Sequence, residues 1–163
     1  MTHLSRSSRL LIEGTITLAV SLSFIALVMG QAPKNKTANS AEEAPMFQEY
    51  RGVQIGWLAD DVRKKLGNPE SKNDEQDFYI FNDKETAQFF YDKTSHKVMA
   101  ISVDFMTGAT GVPTPQQVFG ADFETKPDGS KHKVVQYPKA GCWVSYSRTS
   151  GDTPLVTITI QKL

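Results

Sequence analysis

Three histidines, one cysteine and 18 acidic residues are the groups in this 163-residue chain that could carry acid–base, nucleophilic or metal chemistry. His96 follows Thr94-Ser95 in a turn, and His132 opens a strand between Lys131 and Lys133. Neither stands in an arrangement that would make it a general base, so both read as exposed polar residues. Cys142 sits in the apolar run Cys142-Trp143-Val144, which predicts a buried, inert thiol. A lone cysteine also excludes an internal disulfide and any multi-cysteine zinc or iron–sulfur site. Asp74, Glu75 and Asp77 cluster in a loop without the glycine and spaced oxygen ligands of a calcium loop, so a solvated acidic face is expected. Asp60 and Asp61 are neighbours on a predicted helix and point apart, which rules them out as a glycosidase pair by themselves. No Gly-x-Ser-x-Gly elbow, His-Glu-x-x-His motif or phosphate loop occurs. The residues point away from an enzyme, and no metal or cofactor is expected.

The elements that would position these groups follow a pattern that occurs twice. Leu58, Val62 and Leu66 fall on one face of a helix over 60–66, with Asp60 and Asp61 in its first turn and Arg63, Lys64 and Lys65 near its last. Gly67 and Pro69 stop it. Three strands are predicted next, at 77–82, 87–92 and 97–105. In the second half Thr114-Pro115 is a cap with a first-turn proline, but Gln116 to Phe119 give barely one helical turn. Three more strands are predicted at 132–137, 142–147 and 155–161. The expected fold is therefore α+β: two tandem helix–strand–strand–strand units, 51–106 and 107–163, forming one antiparallel sheet with helices on one face.

The last strand of each unit alternates cleanly. Met99, Ile101, Val103 and Phe105 oppose Ala100, Ser102 and Asp104; Val156, Ile158 and Ile160 oppose Thr157, Thr159 and Gln161. The middle strands carry large apolar groups on both sides: Phe78 and Ile80 oppose Tyr79 and Phe81, Phe89 and Tyr91 oppose Phe90, and Cys142, Val144 and Tyr146 oppose Trp143. Either one sheet face is an aromatic-rich binding surface, or both faces are covered, by the preceding segment or by a sister unit. On the first reading Tyr79, Phe81, Phe90 and Trp143 are the contact residues, and the partner is another protein.

Composition and the N-terminal segment set the context. Lys plus Arg and Asp plus Glu both total 18, a balance that argues against nucleic acid as partner. The charge divides mildly between the units, with 8 basic against 10 acidic residues in 51–106 and 6 against 4 in 107–163. Residues 1–30 have a signal layout: Arg6 and Arg9, an apolar stretch from Gly14 to Met29, then Val28 and Gly30 flanking a cut before Gln31. The 20 residues from Leu10 to Met29 also reach across a bilayer, so a cleaved signal and a retained membrane anchor are both open; Glu13 weighs against the anchor. Both readings export the rest of the chain, to the periplasm, the medium or the outer side of the inner membrane. Residues 31–50 are small and polar with Pro33 and Pro45, which predicts a flexible linker, and Asn35-Lys36-Thr37 matches a glycosylation sequon.

The stretch Ile55-Gly56-Trp57-Leu58-Ala59-Asp60-Asp61-Val62-Arg63-Lys64-Lys65-Leu66-Gly67-Asn68-Pro69 resembles the opening of the small outer-membrane lipoprotein A family, which includes the small E subunit of the β-barrel assembly machinery. Gly56, Asp61, Val62, Leu66, Gly67 and Pro69 fall at the matching spacing. Trp57 stands where that family prefers Met, Leu58 replaces a capping Ser or Thr, and no cysteine for lipidation follows the leader. The element order taken twice resembles the β-lactamase-inhibitor-protein-like fold, whose tandem members bind proteins on a concave sheet face. The duplicated unit, the aromatic-rich strands and the missing catalytic groups point to an exported, non-catalytic protein-binding module of the cell envelope or periplasm, or alternatively to an envelope assembly factor tethered through residues 10–30. A small-ligand carrier or hydrolase would need a deep pocket lined by His132 and carboxylates.

Overall fold

The computed structural model describes residues 44–163. The expected leader at 1–30, the spacer up to residue 43 and the sequon at Asn35 lie outside the described residues. The rest of the spacer is not loose. Pro45, Phe47 and Tyr50 are buried, and β1 (Glu49–Tyr50) pairs with β2 (Val53–Gln54), so the folded part begins before residue 51. Two residues make that hairpin's turn, Arg51 at φ 50° and Gly52 at φ 76°. This pair of positive φ values matches the right-handed twist of the strands, and glycine supplies one of them without strain.

The helix α1 (Ala59–Leu66) buries Ala59 and Val62, and Gly67, at φ 87°, turns the chain away while its N–H closes on the Arg63 carbonyl at 2.9 Å. Leu58 occupies the N-cap with extended backbone and no side-chain cap bond. Its side chain is 45% exposed, so replacing it costs little packing. Leu58→Ser is expected to stabilise the protein by about 1 kcal/mol, read as a higher urea midpoint at constant m. The second helix, α2 (Pro115–Phe119), compensates for its length with a full capping box. Thr114 Oγ1 accepts from Gln117 N at 3.3 Å, and Gln117 Oε1 accepts from Thr114 N at 2.9 Å.

Seven strands make the main sheet: β3 (Ser71–Lys72), β4 (Gln76–Asn82), β5 (Glu85–Tyr91), β6 (Val98–Phe105), β7 (Lys131–Tyr137), β8 (Cys142–Arg148) and β9 (Val156–Lys162). The spatial order is β3-β4-β5-β6-β9-β8-β7, antiparallel throughout. Two meanders, β4-β5-β6 and β7-β8-β9, thus meet through their last strands, with Ile101 opposite Ile160 and Val103 opposite Ile158. A single turn of 3-10 helix, Pro138–Ala140, joins β7 to β8.

The expected α+β class is overturned. The molecule is mostly β, a seven-stranded antiparallel sheet plus a two-stranded one with only about 13% helix. The reason lies in what covers the inner face. Val62 of α1 and Val118 of α2 are fully buried, but they share one core cluster with Phe47, Tyr50 and Val53 of the N-terminal hairpin region. Phe119 and Phe123, from the end of α2 and the loop behind it, pack against the same cluster. Helices of 8 and 5 residues bury too little apolar surface to form a layer, and hairpin and loop side chains supply the remainder. Among the described residues, no helix is long and apolar enough to cross a membrane.

Candidate functional site

Strand alternation and register together define an outer face on the main sheet. With every neighbouring pair in antiparallel register, outer-face residues line up in three rows across six strands. The first row is Ile80, Thr86, Asp104, Thr157, Ser147 and His132. The second is Phe78, Gln88, Ser102, Thr159, Ser145 and Val134. The third is Gln76, Phe90, Ala100, Gln161, Trp143 and Gln136. The middle of the first two rows is short and polar, and that of the third is Ala100 and Gln161. Ser102 Oγ meets Thr159 Oγ1 at 3.0 Å, and Thr157 Oγ1 donates to Asp104 Oδ1 at 2.6 Å. The large apolar groups sit toward the ends: Phe78, Ile80 and Phe90 on one side, Val134 and Trp143 on the other. Ile80 is 53% exposed and Val134 50%. None of these five belongs to the core cluster or packs against it.

The four expected contact residues divide between the two faces. Phe90 and Trp143 lie on the outer face, in one row. Tyr79 and Phe81 lie on the inner face; Tyr79 is corrected to a core residue, and Phe81 is partly buried against the same core. Tyr79 is 3% exposed, stacks on Phe81 at 5.7 Å and meets Phe89 edge-on at 5.5 Å. Its hydroxyl donates to the Gly67 carbonyl at 3.2 Å, which ties β4 to the end of α1. Phe81 is covered by the hairpin turn, with the Arg51 guanidinium 4.0 Å from its ring centre and Tyr50 edge-on at 5.7 Å. Arg51 also pairs with Glu85 at 3.0 Å, and Tyr50 Oη donates to the same carboxylate.

The expected solvated acidic face is corrected at one of its three members. Asp74 and Glu75 are exposed, but Asp77 is fully buried beneath α1. Arg63 donates to both its oxygens at 2.9 Å, and Tyr91 Oη donates to Oδ2 at 2.7 Å. That fork fixes α1 on the sheet and sets which side of β4 faces inward. Hydrogen bonding to Asp77 holds the Arg63 guanidinium above its ordinary pKa. Burial, with Asp77 close by, pushes the Tyr79 phenol up to about 12, and burial with the Asp77 hydrogen bond raises Tyr91 further. A phenol whose pKa is raised by folding contributes stability that is complete below about pH 10 and is lost as pH rises through the folded value. Unfolding at fixed urea is therefore expected to show falling stability from pH 10 to 12, with a shallower slope in Tyr79→Phe.

The histidines are placed as expected residues of the surface. His96 is exposed in the β5–β6 turn at φ 52°, and His132 is exposed on the edge strand β7. The turn is organised by Asp92, whose carboxylate accepts from Ser95 N at 2.7 Å and Ser95 Oγ at 2.8 Å; these bonds hold its pKa below the ordinary carboxylate value. A cavity of about 420 Å³ beside α1 is lined by Asp60, Arg63, Asp74, Ser95 and His96 among others. Its one hydroxyl, Ser95 Oγ, is already bound to Asp92. A second cavity, of about 540 Å³, opens beside the outer face between the loop residues Asp74 and Glu75 and the side chains of Gln76, Phe90 and Met99. His132 lines neither. Cys142 is buried on the inner face, and burial pushes its thiol pKa up, which leaves it unreactive. Among the described residues no group of three His, Cys, Asp or Glu side chains is placed to hold a metal ion.

Not expected as contact residues from the sequence were Phe78, Ile80, Val134 and the polar centre of the rows. Their signal was present in the alternation of 100–104 and 157–161. It became a surface only when β6 and β9 were placed side by side. No protein-family model matches the chain, and no curated protein and no solved structure matches it. The likeness at 55–69 to the small outer-membrane lipoprotein A family rests on those motif residues alone.

Proposed function

We propose that this chain is an exported, non-catalytic binding module of the cell envelope that takes up its partner on the outer sheet face. The observation that carries the reading is the contrast between neighbours in sequence. Phe89 is wholly buried in the core, while Phe90, one residue on, lies outside the core cluster in a row with Trp143. A chain that buries its aromatics on one side of a sheet and holds others outside the core on the other has a surface suited to recognition. Export follows from the leader-like residues 1–30. A protein is the partner that an aromatic-rich sheet face suggests.

Co-sedimentation of residues 31–163, freed of the leader-like segment, with the envelope fraction of its own cells tests the reading. The double variant Phe90→Ala/Trp143→Ala is expected to lose most of the sedimenting protein while keeping the circular dichroism of the parent. Undiminished sedimentation by a folded double variant would remove the outer face as the binding surface.

A further inference from the structure

Resting on the outer face as the binding surface, we infer that its ligand is a neutral glycan chain rather than a protein. The distribution of polarity across the rows decides between them. Protein interfaces place aromatic and aliphatic anchors at a desolvated centre and polar groups around the rim. Here the order is reversed. Ser102, Thr159 and Ser145 stand side by side at the centre of the middle row, and Phe78 and Val134 close its two ends. Ser102 and Thr159 bond each other at 3.0 Å, but each hydroxyl keeps further acceptor capacity, as does Ser145, and an apolar anchor of a partner protein laid over them would desolvate it without replacement. A polyhydroxylated chain replaces them.

Charge and spacing agree with this. No lysine or arginine occurs in any of the three rows, so a polyanion finds no counter-charge there. Their one carboxylate, Asp104, is already engaged by Thr157 at 2.6 Å. Phe90 and Trp143 occupy the same row three strand spacings apart, which is about 14 Å. A ligand that stacks on both rings must be extended and must offer weakly polar C–H faces at each end with hydroxyls between them, as a short oligosaccharide does. The Phe90 end opens into the cavity of about 540 Å³, where Glu75 and Gln76 add acceptors and an amide. That room lets a chain continue past the ring.

The test applies the full chain to an array of neutral oligosaccharides (α- and β-linked glucans, mannans and N-acetylglucosamine polymers), followed by calorimetric titration of those retained. At least one is expected to bind, with Kd raised about tenfold by Trp143→Ala and by Phe90→Ala and nearly unchanged in Trp143→Phe. Retention of no neutral oligosaccharide, or retention that survives the double alanine variant, would overturn the inference. If glycans fail but co-sedimentation with the envelope still depends on Phe90 and Trp143, the glycan assignment falls and the binding face stands. If both fail, both fall.

Discussion

Replacing Arg63 by alanine is expected to destabilise the protein by about 3–5 kcal/mol, because it leaves a carboxylate buried without its cation. Asp77 is wholly inaccessible, and Arg63 engages both of its oxygens while keeping 26% of its own side chain exposed. The guanidinium thus adds little desolvation cost of its own but offsets that of Asp77. After Arg63→Ala only the Tyr91 hydroxyl remains on the carboxylate. Arg63→Lys keeps the charge and loses the fork, so an intermediate loss is expected. Arg63→Leu/Asp77→Leu removes both charges together and is expected to recover much of the deficit. Urea denaturation of the three variants gives the comparison. A loss under 1 kcal/mol for Arg63→Ala would mean the pair does not hold α1 to the sheet.

Phe89→Ala is expected to cost about 3–5 kcal/mol, and Phe90→Ala about 1 kcal/mol or less. The two side chains are adjacent in sequence and identical in chemistry, so the difference reports only the face on which each lies. Phe89 is fully buried, meets Tyr79 edge-on and sits opposite Ile101 in the ladder. Removing its ring opens a cavity among strands that pack from both sides and cannot collapse freely. Phe90 stands opposite Ala100 on the outer face, and its loss takes away contact area rather than core volume. Equal costs would mean that the outer face is packed.

Strand positions were legible in the sequence because alternation and turn chemistry agree. The predicted strand 142–147 is observed as Cys142–Arg148, and 132–137 as Lys131–Tyr137. The face of β4 was not legible. Phe78 and Ile80 on one side equal Tyr79 and Phe81 on the other in apolar bulk, so alternation cannot choose, and a one-residue slip exchanges the faces. The choice is made by Asp77, which shares the side of Tyr79 and must meet Arg63, 14 residues earlier in the chain. A buried carboxylate looks like a surface one until its partner is located, which is why Asp77 read as part of a solvated loop. The fold class failed for a related reason. Strands of two residues, such as Glu49–Tyr50 and Val53–Gln54, are too short to show a period, so the first strand of the hairpin that covers the inner face read as linker and the second as no element. That Phe90 and Trp143 share a face was legible because each opposes the other aromatics of its strand, whereas the polar rows needed the β6–β9 pairing to exist.

Fluorine NMR of residues 31–163, fluorotryptophan-labelled and carrying Trp57→Phe, tests the binding face most directly. Trp143 is then the sole labelled side chain, and the only other tryptophan of the protein is gone. Adding the envelope fraction of the source cells is expected to shift or broaden the Trp143 resonance, and in Phe90→Ala to require about tenfold more of it for the same effect. A Trp143 resonance that stays sharp and unmoved while the protein demonstrably associates with the envelope would place the contact elsewhere and contradict the account.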